Sequence, residues 1–153
     1  MSPESVAHPS RNGDSPVDKG RLKLPTVFRS AIAAQYGDDV FVTSTDGKAA
    51  VIYPLRVWTD VEAQLAQAPS SDPRVRRYKE AVNYYGQEAA FDKQGRVLIQ
   101  GLLRERAEIV GEVMVLGLGN HLEVWNKEHI GKRQSDHPLT PEELGTLAAD
   151  YGI

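Results

Sequence analysis

Two glycine–arginine pairs, each with a lysine shortly before it, are the residues of this sequence best suited to binding chemistry. Gly20-Arg21 follows Lys19, and Gly95-Arg96 follows Lys93. Glycine permits the positive φ of a tight turn, and the Asp92 side chain can accept hydrogen bonds from the amides of the second turn. Each arginine then projects from a rigid hairpin and suits a phosphate backbone or a guanine edge. Internal salt bridges between the two halves are the alternative interpretation.

The two pairs belong to an internal repeat with an offset of 75 residues. Both copies follow the pattern Gly-Arg-(Leu/Val)-x-(Leu/Ile)-x-x-(Val/Leu)-(Phe/Leu)-Arg, which ends at Arg29 and at Arg104. The aromatic residues Tyr53 and Trp125 close the copies, 32 and 29 residues after the arginine of each pair. Such self-similarity indicates a duplicated unit. A unit of roughly 40 residues buries too little surface to be stable alone, so we expect two units packed with pseudo-twofold symmetry.

Each unit is predicted to run strand, strand, short helix, strand, strand, which places each glycine–arginine pair in a turn between two strands. β-branched and aromatic runs predict strands at 40–43, 49–53, 113–116 and 122–125. Apolar periodicity and composition predict helices at 26–36, 58–68, 74–85 and 102–109. A capping box at Thr140-Pro141-Glu142-Glu143 predicts a final helix over 141–149.

The domain organisation expected from these elements has five segments. They are a flexible leader rich in Ser, Pro, Asn and Gly (1–16), a first unit (17–58), a helical linker (59–85), a second unit (86–130) and a C-terminal helical tail (131–153).

Composition excludes several classes of protein. The 153 residues contain no Cys, which rules out disulfides, thiol nucleophiles and Cys-based zinc sites. No run of 18 apolar residues is present to span a membrane. The N-terminus lacks the apolar region of a secretory signal, so a cytoplasmic protein is expected.

The formal net charge of −3 argues against nucleic-acid binding when taken as a single number. The charge is unevenly distributed, however. Residues 18–29 carry +3 and residues 92–106 carry +2, whereas residues 111–153 carry −4. A further basic run over 74–79 is typical of a solvated helix face.

An enzyme is poorly supported by the sequence. None of its four histidines forms an i, i+4 ligand pair with another, and no nucleophile stands at motif spacing from a base. The partial glycine pattern at 117–120 lies between two predicted strands, so we interpret it as a turn and not as a dinucleotide loop. No cofactor and no metal are expected.

The paired motifs at 18–29 and 92–104 resemble the MraZ family, with supporting stretches at 52–58, 83–86 and 122–125. The resemblance covers residues 17–153. It implies a bacterial transcriptional regulator of the division and cell-wall gene cluster, found in the cytoplasm and at the nucleoid. The fold it implies is α+β, with two tandem SpoVT/AbrB-type β units of the swapped-hairpin kind and peripheral helices.

The family binds repeated promoter sites in double-stranded DNA as a homo-oligomeric ring, through loops of the form D-x-x-G-R. Carried over to this sequence, the resemblance implies no membrane partner and no small-molecule substrate. The DNA-contacting residues are expected to be Lys19, Arg21, Lys93 and Arg96, with Arg29 and Arg104 at the ends of the motifs. Gly20 and Gly95 shape the turns, and Asp92 braces the second.

The sequence departs from the family pattern in places. Val17 is expected to stand where the first motif has its aspartate, and the leader replaces the segment that enters the first strand. Gly101 stands where the second copy has a proline. A protein-interaction module of the antitoxin type, without DNA binding of its own, is the alternative function.

Overall fold

The computed structural model of the chain describes residues 12–153, in which eight strands and six helices occur. The strands are β1 (Asn12–Asp18), β2 (Arg21–Lys23), β3 (Asp39–Thr43), β4 (Ala50–Pro54), β5 (Gln87–Ala90), β6 (Arg96–Leu98), β7 (Gly111–Gly117) and β8 (Leu122–Asn126). The helices are α1 (Thr26–Tyr36), α2 (Leu55–Gln67), α3 (Pro73–Tyr85), α4 (Gly101–Ala107), α5 (Lys127–Asp136) and α6 (Pro141–Tyr151). None of the helices within residues 12–153 is long and apolar enough to cross a membrane.

All eight strands form one antiparallel sheet in the order β5-β3-β4-β8-β7-β1-β2-β6. The two end strands of this order, β5 and β6, are consecutive in the chain. Between them, the backbone N–H of Asp92 donates to the carbonyl oxygen of Arg96 over 2.9 Å. The sheet therefore nearly closes into a barrel, and the expected α+β fold is confirmed.

The first hairpin of each half completes the sheet of the other half. β1 pairs with β7 from Asn12 opposite Leu116 to Val17 opposite Gly111, and β5 pairs with β3 in the same way. β2 and β6 pair antiparallel at the centre of the exchange. This arrangement confirms the two swapped-hairpin units that the family resemblance implied.

A pseudo-twofold axis passes between Leu22 and Val97, which face each other across β2 and β6 and are both buried. Equivalent apolar positions of the repeat are buried in both halves. They form the pairs Leu22 and Val97, Leu24 and Ile99, and Phe28 and Leu103. These side chains belong to one cluster with the inward residues of β3, β4, β7 and β8. The repeated pattern is therefore the pattern of the shared core.

The first strand corrects the predicted leader. Residues 12–16 lie in β1, although they were expected to belong to a flexible segment over 1–16. Their composition is poor for a strand, but six residues of β1 pair with β7 and Ser15 is buried. Pairing with a distant strand overrides local preference here. The rest of the predicted leader, residues 1–11, lies outside the described residues.

Helix α5 was not predicted, because only Ile130 among its residues is buried and no apolar periodicity marks it. The available signal was the N-cap, where the Asn126 side chain accepts a hydrogen bond from the N–H of His129 over 3.1 Å. The capping box at Thr140 and Glu143 is confirmed and begins α6 as expected. Helix α4 ends at Ala107, two residues earlier than predicted, because Glu108 adopts a left-handed conformation.

Gly86, between α3 and β5, allows close packing at the point where the helical linker meets the sheet. A methyl group there would collide with the carbonyl oxygen of Val82 and the ring of Phe41. We expect Gly86→Ala to lower the free energy of unfolding by about 1–3 kcal/mol in urea titrations. Gly131→Ala in α5 is the matched control, since nothing lies within 4 Å of the added methyl group. Equal urea midpoints for the two variants would contradict this packing.

Candidate nucleic-acid interface

Strands β2 and β6 and the two turns that precede them form an outward-facing surface, which we call the basic ribbon (residues 18–23 and 92–98). Buried Leu22 and Val97 alternate with neighbours that are at least partly exposed, so the outer face is defined by the strand period of two. The two turns lie at opposite ends of the ribbon, since the strands are antiparallel. The repeat thereby delivers both glycine–arginine pairs to one surface.

The first turn of the ribbon is a two-residue hairpin. Lys19 and Gly20 have φ values of 52° and 79° and connect Asp18 to Arg21, which pair directly. Positive φ at both central residues is the signature of a type I′ turn. Within residues 12–153, the Asp18 carboxylate accepts no hydrogen bond.

The second turn is one residue longer and is braced by Asp92. Its carboxylate accepts hydrogen bonds from the backbone N–H of Gln94 and of Arg96, each over 2.9 Å, and from Nε of Arg96 over 2.9 Å. These bonds, led by that from the Arg96 backbone, hold the pKa of Asp92 below its ordinary value. Gly95 has a φ of 76°, as expected for the left-handed end of a three-residue hairpin loop.

The comparison of the two turns corrects the expected place of Val17. Val17 is opposite Leu22 in β1, and Asp18 pairs with Arg21 just as Asp92 bonds to Arg96. Asp18 is therefore the counterpart of Asp92. The first turn has one residue fewer between its aspartate and its glycine, and Asp18 occupies the place of the aspartate.

Three cationic side chains lie on the outer face of the ribbon strands. Arg21 is exposed and has no side-chain partner within residues 12–153, whereas Arg96 is paired with Asp92 at 2.9 Å. The third is Lys23, directly opposite Arg96 and exposed. It was counted in the charge of the first motif but was not predicted as a site residue. The strand alternation Arg21-Leu22-Lys23 was the signal that could have identified it.

Like charges directly opposite each other in a sheet are destabilising, and Lys23 and Arg96 are such a pair. Lys19 and Lys93 add two exposed cations at the turns, against the carboxylates of Asp18 and Asp92. The outer face thus concentrates positive charge, and apart from the Arg96–Asp92 pair its cations have no ion-pair partner within residues 12–153. An anion bound there would relieve the repulsion.

Arg29 and Arg104 lie beneath the turns and not on the outer face. Arg29 follows buried Phe28 in α1, forms an ion pair with Asp38 at 2.6 Å and lies over the ring of Phe91 at 5.1 Å. Its side chain is also next to Gly95 of the other half. Only 22% of the Arg29 side chain is exposed.

Arg104 occupies the equivalent place beneath the first turn. Its Nε donates to the carbonyl oxygen of Ile99 over 2.7 Å, and a methyl group at Gly20 would lie 3.0 Å from its Cζ. Backbone bonds connect the halves at the same points. The N–H of Leu24 donates to the carbonyl of Gly95 over 3.1 Å, and that of Ile99 to Gly20 over 2.9 Å. Each turn is therefore held by the opposite half of the chain.

The histidines have no arrangement suited to catalysis or metal binding within residues 12–153. His121 is partly buried, with its ring 5.0 Å from that of Tyr53, and burial lowers its pKa. His129 is 3.2 Å from Glu108. No group of three or more metal-ligating side chains occurs among the described residues.

Comparison with known proteins points to a single family. A family model described as "MraZ protein, putative antitoxin-like" matches residues 86–135. The chain is 44% identical over 146 residues to the Transcriptional regulator MraZ of Acidobacterium capsulatum, covering 95% of this chain and 97% of that relative. Identity to the protein of the same name from Koribacter versatilis is 45% over 147 residues, with the same coverage. For that of Halothermothrix orenii, identity is 32% over 135 residues, covering 88% and 92%.

The hydrogen bonds of Asp92 predict that the second turn loosens when its carboxylate is removed. In Asp92→Ala, the amides of Gln94 and Arg96 should exchange with solvent faster than in the wild type, as measured by NMR hydrogen exchange. Because the folded pKa of Asp92 is lowered, its contribution to stability is present above the ordinary carboxyl pKa. That contribution is lost as the pH falls through the lowered pKa, so Asp92→Ala should lack this acid-dependent loss.

Asp18→Ala is the matched control for the same measurement, because the Asp18 carboxylate accepts no hydrogen bond within residues 12–153. Its own turn should keep the wild-type exchange rates. Slower or unchanged exchange at Arg96 in Asp92→Ala would disprove the bracing role.

Proposed function

The chain belongs to the MraZ family of transcriptional regulators, and from this premise we propose that it binds double-stranded DNA in a sequence-specific manner through the basic ribbon. As a transcription regulator, it would act on promoter repeats of the division and cell-wall gene cluster, in the cytoplasm and at the nucleoid. It would do so as a homo-oligomer.

The observation that carries the proposal is the excess of cations over anions on a two-stranded β surface. The major groove of B-DNA is about 12 Å wide and admits a two-stranded β-ribbon. Arg21, Lys23 and Arg96 project from the outer face of such a ribbon, with lysines at both turns. Arginine can pair with two acceptors of a guanine edge, and lysine suits phosphates as a point charge.

The four predicted contacts at the turns and the two arginines beneath them are assigned different roles. Lys19, Arg21, Lys93 and Arg96 would contact DNA directly, and we add Lys23. Arg29 and Arg104 would act as positioning residues, since their side chains are engaged with Asp38 and with the Ile99 carbonyl.

A single ribbon carries few charges, so one copy of the chain would bind weakly. Linking several copies multiplies affinity for repeated sites without any tighter contact at each one. Formation of the homo-oligomer would therefore help to determine how fully the DNA sites are occupied. An antitoxin-type interaction module is the alternative, and the same binding experiment separates the two.

Removal of a ribbon cation should weaken binding to the DNA upstream of the chain's own gene. We expect Arg21→Ala, Lys23→Ala and Arg96→Ala each to lower affinity about 10-fold or more, and each to lower the slope of log K against log salt by about 1 where a phosphate contact is lost. Fluorescence anisotropy over a salt series measures both quantities. Arg77→Ala, which removes an exposed charge from α3, is the matched control and should keep wild-type affinity. An unchanged affinity in Arg21→Ala/Arg96→Ala would overturn the proposal and favour the interaction module.

The positioning residues should behave differently from the contact residues. Arg29→Ala loses an ion pair and a contact with the Phe91 ring, so its unfolding free energy should fall by about 1 kcal/mol along with its DNA affinity. Arg21→Ala should lose affinity alone, because its side chain has no partner within residues 12–153. Urea unfolding and anisotropy on the same samples give the comparison. Equal stability of both variants would refute the separation of roles.

A further inference from the structure

Helix α6 has an apolar face that nothing in the described residues covers. Leu144, Leu147 and Tyr151 share one side of the helix by their spacing, and Leu144 and Tyr151 are 53% and 73% exposed. No residue of α6 is buried. A helix of 11 residues is marginal in water without tertiary contacts. Its capping box determines where the helix begins but buries none of its apolar side chains.

The duplicated fold has two equivalent grooves. Each lies between two helices of one half, α1 and α2 or α4 and α5, and is closed by a hairpin turn of the other half. The groove of the first half, about 990 Å³, is lined by α1, α2 and Asn120. The groove of the second half, about 480 Å³, is lined by the turn at Gly47, by Arg106 of α4, by Trp125 and by α5. We call the second one the tail groove.

Charge distinguishes the two grooves. The first has one cation and one anion in its lining, Arg56 and Asp60. The tail groove has four cations, and two anions lie among them, Asp46 and Asp136. The four cations are Lys48, Arg106, Lys132 and Arg133.

None of these four cations has an ion-pair partner within residues 12–153. Trp125 lies at the bottom of the tail groove, where it is only 7% exposed and has the guanidinium of Arg133 5.6 Å from its ring centre. Met114 and Leu116 pack beside it. The groove thus has a basic rim around a small apolar surface at Trp125.

Helix α6 is complementary to this groove chiefly in charge. Glu143 and Asp150 are seven residues apart and lie along one flank of its apolar face, so a helix seated on Trp125 would bring them towards the basic rim. An amphipathic helix in an apolar groove is a common mode of recognition. We propose that α6 of each chain docks into the tail groove of a second copy of the chain.

The neighbouring copy is favoured over the chain's own groove by the connection between α5 and α6. Residues 137–140 include Pro138, and Pro141 fixes the first residue of α6, so the link is stiff. No residue of α6 lines its own groove, and none is buried. A tail bound to the next copy is a head-to-tail interface, which generates a ring when its rotation closes. The inference rests on the homo-oligomer part of the proposed function and not on its DNA contacts.

The first test is the mass of the full-length chain by sedimentation velocity over a concentration series, without DNA. In the tail variant Leu144→Asp/Leu147→Asp, the dissociation constant of the oligomer should rise at least about 100-fold. Thr146→Asp, which adds a charge to the opposite side of α6, is the matched control and should keep the wild-type mass. A monomeric wild type, a tail variant of wild-type mass or a dissociated control would each overturn the docking. All substituted positions are exposed, apart from partly buried Leu147, and urea midpoints verify folding.

The second test mixes two defective chains. The groove variant Lys132→Glu/Arg133→Glu keeps an intact tail, and the tail variant keeps an intact groove. Each variant alone should be mainly monomeric. An equimolar mixture of the two should form a one-to-one dimer through the single interface that remains intact. Failure of the mixture to pair would refute head-to-tail docking. DNA contacts of the ribbon enter neither measurement, so the two proposals fail separately.

Discussion

The exchange of hairpins between the two halves is the interaction on which the rest of the structure depends. β1 completes the second half and β5 completes the first, so neither half has a closed sheet without the other. The exchange brings β2 against β6 with Leu22 and Val97 at its centre. Hydrophobic burial in a shared core, and not the strength of either unit, thereby creates the surface on which both glycine–arginine turns meet.

The sequence predicted those features of the fold that are encoded locally. The repeat, the turn at Asp92–Arg96 and the helix begun by Thr140 each follow from neighbouring residue types, and the structure confirms them. The start of β1 at Asn12 could not be predicted from local sequence, because this strand is stabilised by pairing with β7, some 100 residues away. The same holds for Arg29 and Arg104, whose neighbours Gly95 and Gly20 belong to the opposite half. Local patterns identify the cations and the face that they share along a strand, but only the tertiary packing shows that Arg29 and Arg104 lie beneath the turns.

The one-residue difference between the turns gives the two halves of the ribbon different electrostatics. In the longer turn, the Asp92 carboxylate already satisfies part of the Arg96 guanidinium. In the shorter turn, no acceptor is bound to Arg21 within residues 12–153. If an anion binds the ribbon as proposed, it would compete with Asp92 for Arg96, whereas the Arg21 side chain would lose conformational freedom on binding. The duplicated motif would therefore present one preorganised arginine and one adaptable arginine to the proposed DNA ligand, with Lys23 between them.

The total charge of −3 is the sum of surfaces of opposite sign. Cations are gathered on the basic ribbon and around the tail groove, and anions are prominent on α6. If α6 is seated on a neighbouring copy, its carboxylates neutralise the groove cations and not those of the ribbon. Assembly would then remove the negative tails from solution while leaving each ribbon charged. Oligomerisation would increase both the number of DNA contacts and the share of positive charge that faces the duplex.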